Sequence, residues 1–125
     1  MNQVVSIDLD GEKGKQLCAD FINELREHPV PELAGLKVET VADYLNGVST
    51  DCATGEKTKL DFPSSNVLAF RMGAAGQAIL RPSGTEPKLK VYFFASDATL
   101  EGAKKILAAI VADVQGRMKA FGIMA

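Results

Sequence analysis

The sequence predicts an α+β domain in two layers, in which a mainly antiparallel sheet of about four strands is covered on one face by two long helices. Three observations predict this fold. Apolar residues recur at helical spacing in residues 13–28 and again in residues 100–118. Residues 66–71 and 77–80 are strand-like and flank a tight Gly-Ala-Ala-Gly reversal. Residues 89–94 alternate between two sets of side chains, as a strand does.

The first predicted elements are a short strand and a long helix. Residues 4–9 alternate weakly between apolar and polar types, which indicates a strand, and residues 10–14 then form a turn. The helix over residues 13–28 ends before Pro29 and Pro31, because proline cannot continue a helix. Its apolar stripe consists of Leu17, Cys18, Phe21, Ile22 and Leu25.

The middle of the chain is less regular. Residues 36–45 hold one predicted strand, with Val38 and Val41 as its inward positions. Residues 46–59 are polar and contain glycine, so we interpret them as a loop.

The acidic run at residues 8–12 resembles a metal loop only superficially. It lacks the further spaced oxygen ligands of a calcium site, so a solvated turn is expected there.

The last third of the chain is the most regular part. The strand over residues 77–80 runs directly into Arg81, and the strand over residues 89–94 follows the intervening loop. Asp97 is the expected N-cap of the last helix, whose wide apolar stripe extends from Leu100 to Met118. Four phenylalanines are predicted to belong to the core: Phe62, Phe70, Phe93 and Phe94.

The composition indicates one domain, residues 1–125, and excludes several function classes. The 125 residues are 46% hydrophobic and 24% charged, with a formal net charge of −2. Nucleic-acid and membrane-surface binding would each require a broad basic stripe that is missing. The N-terminus lacks the basic and apolar regions of a secretory signal, so a cytoplasmic protein is predicted. Cys18 falls on the apolar side of its helix, which favours a buried thiol over a disulfide.

Residues 81–90 carry the most informative motif, Arg-Pro-Ser-Gly-Thr-Glu-Pro-Lys-Leu-Lys. A phosphate dianion requires cationic charge, hydroxyl donors and backbone N–H groups that converge on its oxygens. Arg81 offers a guanidinium that bonds phosphate bidentately, and the serine and threonine offer hydroxyls. The alternative interpretation is an ordinary polar turn, since proline, serine and glycine are common turn residues.

The complete string resembles the signature loop of the last domain of the α-D-phosphohexomutases, the family of phosphoglucomutase and phosphomannomutase. In that family, an R-x-S-G/N-T string followed by a basic residue binds the phosphate of the sugar that is not reacting. The resemblance implies that Arg81 is the main phosphate ligand and that Ser83 and Thr85 donate hydroxyl hydrogen bonds. It also implies an exposed N–H at Gly84 and an auxiliary charge at Lys90. No residue of this chain is expected to be catalytic.

Two further side chains flank this string. Lys88 shares the side of the strand on which Lys90 lies, because side chains two apart in a strand point the same way, and it could contribute to the site. Glu86 is a carboxylate beside a predicted anion site. We expect it to point outward, since it would otherwise repel the ligand.

The resemblance covers the chain as the fourth and last domain of a longer enzyme, with Met1 as the start of an excised fragment. Such an enzyme interconverts hexose 1-phosphate and 6-phosphate through a bisphosphate, with Mg²⁺ and glucose 1,6-bisphosphate as cofactors. The family's phosphoserine and magnesium strings do not occur in this sequence, so the chain alone is expected to be inactive. Its implied partners are the hexose phosphate and the upstream domains of the same enzyme. A stand-alone phosphosugar-binding or regulatory module, and a structural domain in which the loop is only a turn, are the alternatives.

Overall fold

A computed structural model describes residues 1–123 of the chain. It contains two long helices and nine strands, several of which are only two to four residues long. In chain order the elements are β1 (Asn2–Asp8), α1 (Gly11–Glu27), β2 (Glu32–Leu33), β3 (Leu36–Lys37), β4 (Thr40–Asp43), β5 (Val48–Asp51), β6 (Lys57–Lys59), β7 (Leu68–Arg71), β8 (Gly76–Pro82), β9 (Lys88–Ala95) and α2 (Leu100–Phe121).

The main sheet has seven strands in the order β1-β9-β8-β7-β4-β5-β6, and every neighbouring pair is antiparallel. Strands β2 and β3 form a separate two-stranded hairpin. The predicted α+β class with a mainly antiparallel sheet and two helices is confirmed. The sheet is larger than the four or so strands that the sequence indicated, because short exposed strands extend one end of it.

Both helices pack on one face of the sheet. Leu89, Val91 and Phe93 alternate along β9, are completely buried, and belong to one core together with α1 and α2 residues such as Ile22 and Ile110. Full burial of each such side chain contributes roughly 1.5–3 kcal/mol relative to exposure. The opposite face of β8 and β9 is mixed, with the half-buried Ile79, Tyr92 and Phe94 along it. Its cationic side chains, Arg81, Lys88 and Lys90, lie at the end next to the connecting loop, where a polar site can form.

The prediction of a loop over residues 46–59 is wrong, because this segment contains the hairpin of β5 and β6. The two strands pair in antiparallel register, with Ser49 opposite Thr58. All three residues of β6 are exposed, so the segment lacks the apolar alternation by which a strand is recognised in a sequence. Backbone pairing with β5, rather than burial of side chains, holds this strand in place.

The single strand predicted over residues 36–45 is divided between two sheets. Leu36 and Lys37 belong to the small hairpin, and the main-sheet strand begins at Thr40. Between them the Val38 N–H donates to the Pro31 carbonyl at 3.0 Å, and the Glu39 N–H donates to the Arg71 carbonyl at 2.8 Å. The predicted inward positions, Val38 and Val41, are both buried.

Helix α2 begins two residues later than its predicted cap allows. The N-cap is Thr99 and not Asp97, and its Oγ1 accepts the Gly102 N–H at 3.0 Å. At the other end Gly122 closes the helix in the left-handed region at φ 96°, where glycine is favoured.

Among residues 1–123, no helix has the length and hydropathy needed to cross a membrane.

Of the four phenylalanines predicted for the core, Phe70 and Phe93 are buried there. Phe94 is half-buried, and the prediction is wrong for Phe62, whose side chain is exposed on the segment after β6. Cys18 is buried as predicted, and burial raises the pKa of its thiol.

Candidate functional site

The motif of residues 81–90 forms the connection between β8 and β9. In the antiparallel register, Arg81 lies directly opposite Lys90. The next pair along, Leu80 and Val91, is buried under the helices, so alternation places Arg81 and Lys90 together on the helix-free face. Directly opposed side chains have β-carbons about 5 Å apart. The sheet therefore brings two cationic side chains side by side at the mouth of the loop.

Ser83 organises the backbone of the loop. Its Oγ accepts the N–H groups of Thr85 at 3.3 Å and Glu86 at 3.1 Å, while its own N–H donates to the Lys88 carbonyl at 2.8 Å. The Lys88 N–H in turn donates to the Glu86 carbonyl at 2.8 Å. The Ser83 hydroxyl thus accepts from two backbone N–H groups, and its own proton has no acceptor among residues 1–123.

Gly84 lies at the open tip of the loop. A β-carbon built at this position would meet no atom within 4 Å. Its φ is not in the left-handed region, so this turn does not require glycine for its backbone conformation. The residue is exposed, and its N–H finds no acceptor among residues 1–123.

The charged residues of the site are paired unequally. The Lys88 ammonium lies 3.4 Å from the Asp8 carboxylate and 3.9 Å from that of Glu86. Within residues 1–123, neither Arg81 nor Lys90 forms an ion pair. The Glu86 side chain is 65% exposed, yet it stays beside Lys88 on the pocket wall rather than pointing fully away. Two of the three cations in this site are therefore available to an external anion.

The loop and the two strand ends enclose a depression of about 380 Å³ on the surface. It brings together all five residues predicted for the site, with three neighbours. The lining residues are Arg81, Pro82, Ser83, Gly84, Thr85, Glu86, Lys88 and Lys90. Depressions of about 430 Å³ beside Phe62 and about 500 Å³ beside Arg26 are larger. The volume of a depression is therefore not the criterion for choosing the candidate site. The depression at residues 81–90 is chosen because it contains Arg81, whose guanidinium has no partner within residues 1–123.

The depression beside Arg26 contains a polar cluster that the sequence did not reveal. Arg26 donates to Asp43 at 2.9 Å, to Asn23 at 2.9 Å and to Asn66 at 2.8 Å. Burial alone would raise the pKa of Asp43, but hydrogen bonds from Asn46 and Arg26 and the charge of Arg26 together lower it. Each of the three guanidinium nitrogens donates to an acceptor within the fold, so the cluster has a structural role.

Sequence reasoning also missed the contacts that β1 makes with the loop. Because β1 pairs with β9, Asp8 lies opposite Lys88, and the Leu9 N–H donates to the Pro87 carbonyl at 2.7 Å. The weak alternation of residues 4–9 predicted a strand here, but its pairing partner is about 80 residues away in sequence, beyond the reach of a local pattern.

The fold and the site together define an α+β domain with a basic pocket at the connection between two neighbouring strands. Residues 29–114 match the family described as phosphoglucomutase/phosphomannomutase, C-terminal domain. The chain belongs to this family. The loop at residues 81–90 lies inside the matched segment.

Curated proteins that are similar in sequence to this chain include three staphylococcal phosphoglucomutases. The phosphoglucomutase of Staphylococcus aureus (strain MRSA252) is 37% identical over 84 residues, which is 67% of this chain and 15% of that protein. The phosphoglucomutase of Staphylococcus epidermidis (strain RP62A) is 33% identical over 91 residues, 73% of this chain and 16% of that protein. The phosphoglucomutase of Staphylococcus saprophyticus is 36% identical over 84 residues, with coverage of 67% and 15%. The match therefore spans about a sixth of the length of these relatives.

Proposed function

We propose that this chain is the substrate-phosphate-binding domain of a phosphoglucomutase/phosphomannomutase, which interconverts hexose 1-phosphate and 6-phosphate through a bisphosphate intermediate. One observation carries this proposal. Arg81 and Lys90 lie directly opposite each other, exposed, and form no ion pair within residues 1–123. Like charges in that position repel, so the arrangement destabilises the free protein and becomes favourable when an anion binds between them.

The other residues of the pocket supply directional hydrogen bonds to the same anion. Arg81 takes two phosphate oxygens with its planar fork, and Lys90 adds a point charge at the edge. The hydroxyls of Ser83 and Thr85 and the N–H of Gly84 donate to the remaining lone pairs. Five groups that read only phosphate suit a bisphosphate that must be held by either end in turn.

The chain's own residues bind and orient, and they perform no chemical step. In the proposed enzyme, holding one phosphate fixes the sugar so that its other end meets the reacting groups of the upstream domains. The family's Mg²⁺ does not fit this pocket. Magnesium requires several oxygen ligands, and here three cationic side chains surround one carboxylate. We expect no mutase activity from the chain alone.

An amide NMR titration of the chain with glucose 1,6-bisphosphate at low salt tests the proposal. We expect saturable shifts confined to residues 81–90, with a Kd near or weaker than about 1 mM, because one phosphate clamp supplies roughly 4 kcal/mol. Glucose at the same concentrations is the matched control and should shift nothing. Equal shifts with glucose, or no shift in the loop at tens of millimolar bisphosphate, would refute the phosphate assignment.

The same titration separates the proposed function from its alternatives. Inorganic phosphate should shift the same amides as the bisphosphate, since the pocket reads no sugar hydroxyl. A much tighter response to the bisphosphate than to phosphate would instead favour a stand-alone module that recognises the whole phosphosugar.

A further inference from the structure

We propose that Gly14 is a positioning residue for the phosphate pocket, because its missing side chain lets helix α1 pack directly against Leu9 and Pro87 at the end of the loop. The proposal rests on the function proposed above and adds a residue outside the pocket to it. Gly14 lies one turn into α1 and does not line the depression.

The space around Gly14 is completely occupied. The residue is buried, and a β-carbon at this position would lie 2.6 Å from the Leu9 β-carbon, 3.2 Å from the Leu9 carbonyl carbon and 3.3 Å from the Pro87 β-carbon. These neighbours are backbone and β-carbon atoms, which cannot rotate away as the end of a long side chain can. Any larger residue at position 14 would therefore displace the backbone of Leu9, of Pro87 or of the helix itself.

Two further contacts connect the same turn to the loop. The Leu9 N–H donates to the Pro87 carbonyl at 2.7 Å, and the Asp8 carboxylate lies 3.4 Å from the Lys88 ammonium. The turn at residues 8–14, which runs from the last residue of β1 into the first turn of α1, thus holds Pro87 and Lys88 by a steric contact, a hydrogen bond and an ion pair. A segment held in three ways moves only if the turn moves with it.

The position of Pro87 is transmitted to the phosphate ligands through the backbone. Pro87 precedes Lys88, whose carbonyl accepts the Ser83 N–H at 2.8 Å. Ser83 in turn holds the amides of Thr85 and Glu86 through its hydroxyl oxygen. A shift of Pro87 therefore changes where the hydroxyls of the pocket lie, whereas the Arg81–Lys90 pair is held separately by the strand register.

The chain offers a matched control at Gly116. This glycine also lies within a long helix, α2, but a β-carbon there would meet no atom within 4 Å. Both Gly14→Ala and Gly116→Ala replace a helical glycine by a better helix former. They differ in the presence of the Leu9 and Pro87 contact.

The experiment is an amide NMR titration with inorganic phosphate of the wild-type chain, Gly14→Ala and Gly116→Ala, together with urea unfolding of each. We expect Gly14→Ala to raise the Kd for phosphate by about fivefold or more, since binding groups must be held to within a fraction of an ångström. It should also shift the free-state amides of residues 83–88. Gly116→Ala should leave the Kd and these amides unchanged. A folded Gly14→Ala chain with wild-type affinity would overturn the proposal.

A second measurement uses only the wild-type chain and so does not depend on the variant folding. If the turn holds the loop, occupancy of the pocket must stabilise the Leu9–Pro87 hydrogen bond by linkage. We expect hydrogen exchange at the Leu9 amide to slow by about twofold or more at saturating phosphate, with the Ile123 amide at the end of α2 as an unaffected reference. Unchanged Leu9 exchange at saturation would overturn the proposal.

The two proposals fail in different ways. If the wild-type chain shows no saturable response to phosphate, the proposed function fails, and the role of Gly14 fails with it. If the wild type binds phosphate while Gly14→Ala binds equally well, or while Leu9 exchange is unaffected, only the role of Gly14 is refuted.

Discussion

Two arginines in this molecule have opposite surroundings. Arg26 lies in the last turn of α1, its side chain is only 9% exposed, and it donates to Asp43, Asn23 and Asn66. Arg81 is the penultimate residue of β8, lies exposed on the helix-free face, and has no ion-pair partner among residues 1–123. Opposite Arg26 lies a carboxylate, and opposite Arg81 lies another cation.

The difference shows how one residue type serves folding in one place and binding in another. A guanidinium in which each nitrogen donates to an acceptor within the fold, beside a carboxylate, stabilises the folded chain. A guanidinium held beside a like charge by a strand register slightly destabilises the free fold and keeps its donors free. The two regions should therefore respond oppositely to the loss of their arginine.

The largest effect is expected for Arg26→Ala. The free energy of unfolding should fall by about 3 kcal/mol, because three hydrogen bonds are lost and Asp43 is left partly buried without its countercharge. The Kd for phosphate should not change. Urea unfolding and the phosphate titration measure the two quantities, with Lys104→Ala, an exposed cation on α2, as the charge-matched control. A loss below about 0.5 kcal/mol would place Arg26 among ordinary surface residues.

The converse is expected for Arg81→Ala. Phosphate affinity should fall about tenfold to thirtyfold, which corresponds to roughly 1.5–2 kcal/mol for charge-assisted hydrogen bonds, while stability stays within about 0.5 kcal/mol of wild type. Lys104→Ala again removes one positive charge and should leave the affinity nearly unchanged. If both variants weakened binding to the same extent, net charge and not the pocket would explain the affinity.

A smaller effect on stability is expected from protonation of Asp43, the carboxylate that pairs with Arg26. The folded pKa of Asp43 is lowered from its ordinary value of 3.8, so this carboxylate stabilises the fold above that value. The contribution is lost as the pH falls through the lower folded pKa. We therefore expect the stability advantage of wild type over Asp43→Asn to shrink as the pH falls from about 6 to about 2.5 in urea unfolding. Parallel pH profiles of the two chains would contradict this linkage.

The elements that could be predicted from the sequence are those with one buried apolar face and one exposed polar face. Strand β9 and helix α2 alternate or repeat with a clear apolar face, so each could be recognised locally. The motif at residues 81–90 was predicted as one site, and the fold does bring its five chosen residues into one depression. Their role as phosphate ligands, the need for Mg²⁺ upstream and a cytoplasmic location stay predictions.

What the sequence could not provide depends on pairing between distant residues. Strand β6 is exposed throughout and exists because β5 offers it a backbone partner. No local pattern marked Arg26, since its acceptors Asp43 and Asn66 lie 17 and 40 residues away. Gly14 looked like part of a turn, and only the approach of Pro87 in the folded chain gives it significance.

Strand β6 also has the features of an edge strand that resists pairing with another chain. It forms one outer edge of the seven strands, is three residues long, and has lysine at both ends. A second copy that added its own β6 there in antiparallel alignment would place Lys57 against Lys59 twice. Like charges directly opposite each other destabilise a strand pair, so this edge is an unfavourable partner for a second copy of itself.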